Sequence, residues 1–357
     1  MSAHRLYDTW FRCIQKLLPQ ERVTRLRILT WMVVGLDQGQ SAHLSGMARK
    51  LPLAVKLTST TDRFRRFLNN AAFRFRDWYR PIAEQLLAEA AHSGSIRLIM
   101  DGTKVGAGHQ LLMVAVAYRK RALPIAWTWV KGSRGHSTTA KQRALLRYVR
   151  ALMPAQASAL VVGDCEFGAV PLARQLADWG WHYVLRQQGD TRVCVSHKTM
   201  TWCYFNTLVT ERDHLAWHAS ALVTLKHLYH ANLLAYWQRG QKDPWLLMTN
   251  LPDARSALKA YRRRMWIEEM FGDWKGHGVD IETTHLRRIV RLSRLVFIVA
   301  LWYLWLLSRG ARAIRSGERT LVDRPDRRDL SVFRIGLYII SRRCALNQHF
   351  DIRLCPR

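Results

Sequence analysis

At 357 residues, 49% apolar and 23% charged, the chain has enough apolar material for two or three domains with their own cores and too much to be disordered. It carries 56 Lys and Arg against 26 Asp and Glu, a formal charge of +30; such an excess resists compaction and calls for a polyanionic partner, nucleic acid or an anionic membrane surface. Six scattered cysteines without a CxxC pair, and an opening stretch without an apolar h-region, argue against a secreted disulfide scaffold and for free thiols in a reducing cytosol.

Residues 1–90 read as helical. "YDTWFRCIQKLL" places Trp10, Ile14, Leu17 and Leu18 at helical spacing and ends before Pro19. "VTRLRILTWMVVGL" predicts a second helix closed by Gly35 and Gly39. Two short helices then meet near Leu51-Pro52, the later one capped by a Ser/Thr cluster and exposing Arg63, Arg65 and Arg66. A helix-turn-helix that enters a DNA groove and an ordinary three-helix bundle both fit this pattern. Fifteen basic against seven acidic residues over 1–90 favour DNA, so the segment is expected to be a helical DNA-binding domain.

Near residue 95 the pattern changes. "IRLIMDGTKV" is an apolar run ending in Asp101 and a glycine; "QLLMVAVAYRK" and "RALPIAWTWVKG" predict a hairpin around a basic turn. A helix over "TTAKQRALLRYVRALM", a buried strand in "SALVVGDCEFG" ending at Asp164, another helix closed by Gly180, and the strand "WHYVLRQ" complete an α/β core over 91–186. Residues 187–250 are β-rich and too long for a loop, so they are expected to be an inserted β-subdomain. "KGSRGHSTT", Lys131 to Thr139, is a basic loop equally suited to phosphate or plain solvent. Cys194, His197, Cys203, His214 and His218 fit no closed zinc spacing.

"YRRRMWIEEMFGDWK", Tyr261 to Lys275, predicts one amphipathic helix within 251–290, with Ile267, Met270, Phe271 and Trp274 on the apolar face. At about 100° per residue Tyr261, Arg264, Glu268 and Lys275 share a second arc within roughly 60°. By itself that stripe could be a solvated face with an Arg264–Glu268 ion pair. The last stretch, 291–357, is helical and basic; from Arg287 onward there are sixteen arginines, five acids and no lysine. Its apolar run, Leu295 to Leu307, is thirteen residues, short of the roughly 20 that span a bilayer, so a buried helix and no membrane role are expected.

Asp101 and Asp164 each stand where an α/β sheet presents its active-site edge. With Glu268 they make three carboxylates that would repel if gathered, a penalty that Mg²⁺ or Mn²⁺ bound to their hard oxygens removes. Two such ions can clamp an in-line displacement at phosphorus.

"DGTKV", "GDCEFG" and the spacing Y-x2-R-x3-E-x6-K resemble the DDE transposases of bacterial insertion sequences, in particular the group named by the letters YREK. The resemblance implies an RNase H-like mixed sheet with a β-rich insertion between the second Asp and the Glu, flanked by helical regions. It implies Asp101, Asp164 and Glu268 as catalytic metal ligands, with Tyr261, Arg264 and Lys275 gripping the DNA backbone near the cleaved end. It also implies that Trp245, in "PWLLMTN", stacks on a flipped-out base. The expected partners are double-stranded DNA, as terminal inverted repeats and target, and a second copy of the chain on that DNA; the expected setting is the nucleoid of a prokaryotic cytoplasm. One motif departs from the family: Asp164-Cys165-Glu166-Phe167 stands where Asp-Arg-x-Phe is common, which removes an arginine that could support the site or a phosphate. The alternatives to transposition are a metal-dependent nuclease of the same fold without strand transfer, and a basic DNA-binding protein whose acids are structural.

Overall fold

The computed structural model describes residues 2–130, 136–196, 198–349 and 351–356. Five helices come first: α1 (Ser2–Leu17), α2 (Val23–Gly39), α3 (Leu44–Arg49), α4 (Leu57–Asn69) and α5 (Phe75–Ala91). Strands β1 (Ile96–Val105), β2 (His109–Tyr118) and β3 (Arg121–Val130) come next, then α6 (Thr139–Leu152), β4 (Ala159–Gly163), α7 (Val170–Asp178) and β5 (His182–Arg186). After them lie β6 (Arg192–Cys194), β7 (Cys203–Tyr204), β8 (Leu215–Val223), β9 (Tyr229–Tyr236) and β10 (Trp245–Thr249). The chain finishes with α8 (Ala254–Tyr261), α9 (Met265–Trp274), α10 (Ile289–Arg315) and α11 (Val332–Ala345). Contacts divide it into two compact units, one of Met1–Leu86, Thr103–Leu111 and Met270–Arg357, the other of Leu87–Gly102 and Leu112–Glu269.

The second unit holds a mixed ten-stranded sheet in the order β3-β2-β1-β4-β5-β10-β9-β8-β6-β7. This is the α/β class expected, with helical regions at both ends of the chain. The β2–β3 turn puts Arg119 and Lys120 at φ 44° and 62°, the left-handed pair that a two-residue hairpin turn requires. Strands β1, β4 and β5 run parallel, whereas β10 pairs antiparallel with β5 and β9. The strands of 187–250 therefore extend the core sheet. Helix α8 packs beneath them: Ala257, Ala260 and Tyr261 are buried against Val162, Val184, Leu234 and Leu247. At about 1.5–3 kcal/mol per buried aliphatic side chain, this cluster fixes the end of α8, and with it the point from which Arg264 and Glu268 extend.

The helical unit is built around α10. Asp37 on α2 accepts the Trp302 indole N–H at 3.0 Å, and Arg294, buried, donates to the carbonyls of Leu68 and Phe73 at the end of α4. Burial pushes the Asp37 carboxyl up to about 6 despite the bonds from Trp302 and Gln38. Gly310 and Gly336 let α10 and α11 touch backbone to backbone; the Val332 and Leu306 carbonyl oxygens occupy the space a β-carbon would need. Three local expectations change. Gly35 lies inside α2, pressed against the Met47 backbone, and only Gly39 ends the helix. The Ser/Thr cluster sits within the first turns of α4, whose N-cap is Lys56 without a side-chain bond. The apolar helix is 27 residues, not thirteen, and so is long and apolar enough to cross a membrane by length and composition; 83% of its most apolar window is buried in the protein.

Candidate active site

The parallel pairing of β1 with β4 ends at Met100↔Gly163, and that of β4 with β5 at Gly163↔Leu185. The next residue on each strand is Asp101, Asp164 and Arg186. They form one row where the parallel pairing stops, the edge at which open α/β sheets place their ligands; Asp101 is not the strand end expected, because β1 runs on to Val105 and continues into the β1–β2 hairpin. Each aspartate is held by the backbone that succeeds it: Gly102 N–H donates to Asp101 Oδ1 at 2.7 Å and Cys165 N–H to Asp164 Oδ1 at 2.6 Å. Phe167 packs on Gly163, where a β-carbon would meet its ring, so the turn after β4 folds tightly under Asp164.

Glu268 arrives from the other side of the sequence. The segment expected as one helix is two, α8 and α9, joined by a 3₁₀ turn at Arg262–Arg264. In a 3₁₀ turn residues three apart eclipse, which brings Arg264 over Tyr261, guanidinium to ring centroid 5.9 Å. One α-turn later Glu268 meets Arg264 at 2.6 Å. The same guanidinium reaches Asp101 Oδ2 at 3.4 Å and Asp164 Oδ2 at 3.9 Å. Three carboxylates from segments 63 to 167 residues apart thus converge on one cation. None is sealed: the side chains of Asp101, Asp164 and Glu268 are 15%, 37% and 41% exposed.

Burial pushes Asp101 up to about 7, with Glu268 and Asp164 adding to the rise and Arg264 and the Gly102 N–H opposing it. Burial also pushes the Cys165 thiol up to about 11, aided by the Asp164 charge, so it stays protonated and is no nucleophile near neutral pH. Two buried polar atoms beside the acids, Tyr261 Oη and Arg264 Nε, lack a hydrogen-bond partner among the described residues. Among the described residues no three His, Cys, Asp or Glu side chains are gathered as a metal ion would need them; here a guanidinium takes the central place. The donor set nonetheless fits a hard divalent cation, being carboxylate oxygens alone, partly exposed and balanced by one positive side chain.

Of the other residues singled out in the sequence, Trp245 opens β10 and meets Tyr261 edge-on at 5.1 Å. Lys275 falls in the helical unit, where its ammonium pairs with Glu282 at 2.7 Å. Arg63, Arg65 and Arg66 are exposed on α4 but do not share one face: Arg63 and Arg66 line one groove and Arg65 another. His197 and residues 131–135 of the basic loop lie outside the described residues.

Sequence reasoning missed Arg186. Its guanidinium stands 4.0 Å from Asp164 and donates to the Pro244 carbonyl at 3.2 Å, so a positive side chain accompanies Asp164 although Cys165 supplies none. The available signal was positional, since "HYVLR" ends in register with the two aspartate strands. Glu166 ties the same turn to the start of α6, accepting from Ser137 N–H at 2.7 Å.

A family model described as "Transposase DDE domain" matches residues 89–305. No curated protein sequence matches the chain. Among solved structures, a piggyBac transposase synaptic complex with hairpin DNA, studied by cryo-electron microscopy, aligns with a TM-score of 0.46 and 10% identity, covering 97% of this chain and 78% of that one.

Proposed function

Because the chain belongs to the transposase DDE domain family, we propose that it cuts its element free of flanking DNA and joins the 3′-OH ends to target DNA, as a member of the YREK group of bacterial insertion sequences. The observation that carries this is the convergence of Asp101, Asp164 and Glu268 on Arg264 at the carboxyl edge of the parallel strands. These three acids would hold Mg²⁺ or Mn²⁺; a pair of such ions bound there would activate the attacking oxygen and stabilise the leaving one at phosphorus.

The remaining roles fall to the chain's own residues. Arg264 is the side chain that would leave the acids if a cation bound them, and its guanidinium would then face the phosphate and lower the repulsion that an incoming anion meets. Tyr261, whose buried hydroxyl has no hydrogen-bond partner among the described residues, and Arg186 bind the neighbouring backbone. Lys275 exchanges Glu282 for a phosphate. Trp245, partly exposed at the head of β10, offers a face to an unstacked base, worth about 1–3 kcal/mol. Water attacks first and a DNA 3′-OH later, with no side-chain nucleophile. Two ends must be held at once, so the working form is a homodimer on DNA in a prokaryotic nucleoid.

The test is a labelled duplex carrying the inverted repeats that flank the gene, mixed with protein and a supercoiled plasmid. In Mg²⁺ the expected products are cleaved ends and end–plasmid joints, both abolished by EDTA. Nicks without joints would replace transposition by simple nuclease action, and intact DNA in both Mg²⁺ and Mn²⁺ would leave only a DNA-binding protein.

A further inference from the structure

Helix α10 begins beside a cavity of about 380 Å³ that lies wholly within the helical unit. Its walls carry Arg65 from α4, His43 from the head of α3, and His285, Arg287, Arg288 and Arg291 from the approach to α10 and its first turn. Among the described residues no carboxylate lines it. Arg65 is paired with Asp62 on its own helix. Arg287 and Arg288 are exposed, and neither they nor Arg291 has an acidic or hydrogen-bonding partner among the described residues; Arg291 Nε is buried without an acceptor. The His43 and His285 rings meet edge-on at 4.5 Å. The N-cap of α10, Arg288, offers no side-chain bond to the first-turn N–H groups.

So much like charge around one hollow, at the positive end of a helix, is unfavourable unless an anion enters it. The walls do not separate easily. Ala42 N–H donates to Val279 O at 2.7 Å, Thr284 Oγ1 to Ala42 O at 3.4 Å, and Arg294, one turn into α10, anchors that helix to the carbonyls of Leu68 and Phe73. The site is therefore built before any ligand arrives. On the other flank of α4, Arg63 and Arg66 line a second groove with Arg22, the N-cap of α2, and with Arg25, which is paired with Glu21 at 2.8 Å. One small anion does not explain two basic grooves astride a single helix; an extended polyanion does.

We infer that the cavity at the head of α10 grips a backbone phosphate of duplex DNA, with α4 lying across the backbone. This is a DNA contact made by Arg287, Arg288 and Arg291 with Arg65, none of which belongs to the acid cluster. It rests on the reading that DNA is the substrate. It reads no bases, so it contributes affinity and register without sequence preference.

Fluorescence anisotropy with a labelled duplex, run in EDTA over a range of salt, tests it. Relative to the unaltered protein, Arg287→Ala/Arg288→Ala should bind about tenfold more weakly at moderate salt, equally for any sequence. The log–log salt slope should fall by about one, one phosphate contact being worth about 0.9. Arg342→Ala, an exposed arginine on α11, is the control and should change neither by as much. Circular dichroism checks that both variants fold. If the double variant keeps the control's affinity and slope, the inference fails while the transposase reading stands. If the unaltered protein binds no duplex at all, that reading fails as well. Calorimetry with inorganic phosphate separates the sources: millimolar phosphate bound by the unaltered protein and lost in the double variant, with duplex binding intact, makes this a small-anion site and overturns the assignment to DNA.

Discussion

Asp101→Asn should lower DNA cleavage by about three orders of magnitude or more, while making the metal-free protein more stable at pH 8. The first effect arises if a carboxylate at this position binds the cations that carry the phosphorus chemistry. The second is a matter of proton linkage. Burial above all, then the Glu268 and Asp164 charges, push Asp101 up to about 7 in the folded chain, against about 3.9 when unfolded. Between those values the folded state holds a proton that the unfolded state does not. Stability therefore falls as pH rises from about 4 to about 7. The asparagine carries no charge to desolvate, so its advantage should be absent near pH 4 and fully developed by pH 8, on the order of 1–4 kcal/mol. Thermal melts in a chelator at the two pH values read the stability arm. Equal melting of the two proteins at pH 8 would mean that Asp101 carries no such strain in the folded chain. Undiminished cleavage would remove it from the chemistry.

Arg264→Ala should do the opposite to the metal-free protein. The guanidinium, 12% exposed, is the cation that all three acids share. Its removal at pH 8 leaves Asp101, Asp164 and Glu268 facing one another, and breaking a buried pair by deleting one partner costs about 3–5 kcal/mol. Partial exposure of Asp164 and Glu268 moderates that figure, so a loss of about 1–3 kcal/mol is expected. The loss should shrink below about pH 7, where Asp101 holds a proton and its charge no longer needs a partner. A divalent cation should then restore more stability to the variant than it adds to the unaltered chain, because no side chain competes for the carboxylates. Arg264→Lys should fall between the two, since one ammonium cannot fork to three acids. Cleavage should drop about 10²–10³-fold in the alanine variant, in line with removal of one donor that stabilises developing charge. A variant with unchanged melting and unchanged response to Mg²⁺ would show that the acids do not depend on this residue.

The candidate site was legible where local grammar and chemistry coincide. Asp101 and Asp164 close apolar runs before a glycine or a turn, and Glu268 sits at a fixed spacing from an aromatic and an arginine. The sheet class is implied by strand–helix alternation. What escaped was set by geometry that no local period encodes. The stripe Tyr261–Lys275 reads as one continuous helix, but the 3₁₀ turn at Arg262–Arg264 re-aims Arg264 onto the acids and starts a new helix for Glu268. Arg186 acquires its place only from the register of β5 against β4. Arg63 and Arg66 part from Arg65 because grooves lie on both flanks of α4. Helix α10 runs past the apolar stretch at both ends because its arginines find partners within the protein: Arg294 donates to two carbonyls and Arg309 pairs with Glu318. Strands β8 to β10 joined the core sheet through one pairing distant in sequence, β10 against β5.

The most direct test is anomalous diffraction from crystals of the protein soaked in Mn²⁺. A manganese peak ligated by Asp101, Asp164 and Glu268, with the Arg264 guanidinium moved out from among them, is the predicted result. Manganese found only elsewhere at saturating concentration, with the three carboxylates still closed on Arg264 in protein that cleaves DNA, would contradict it.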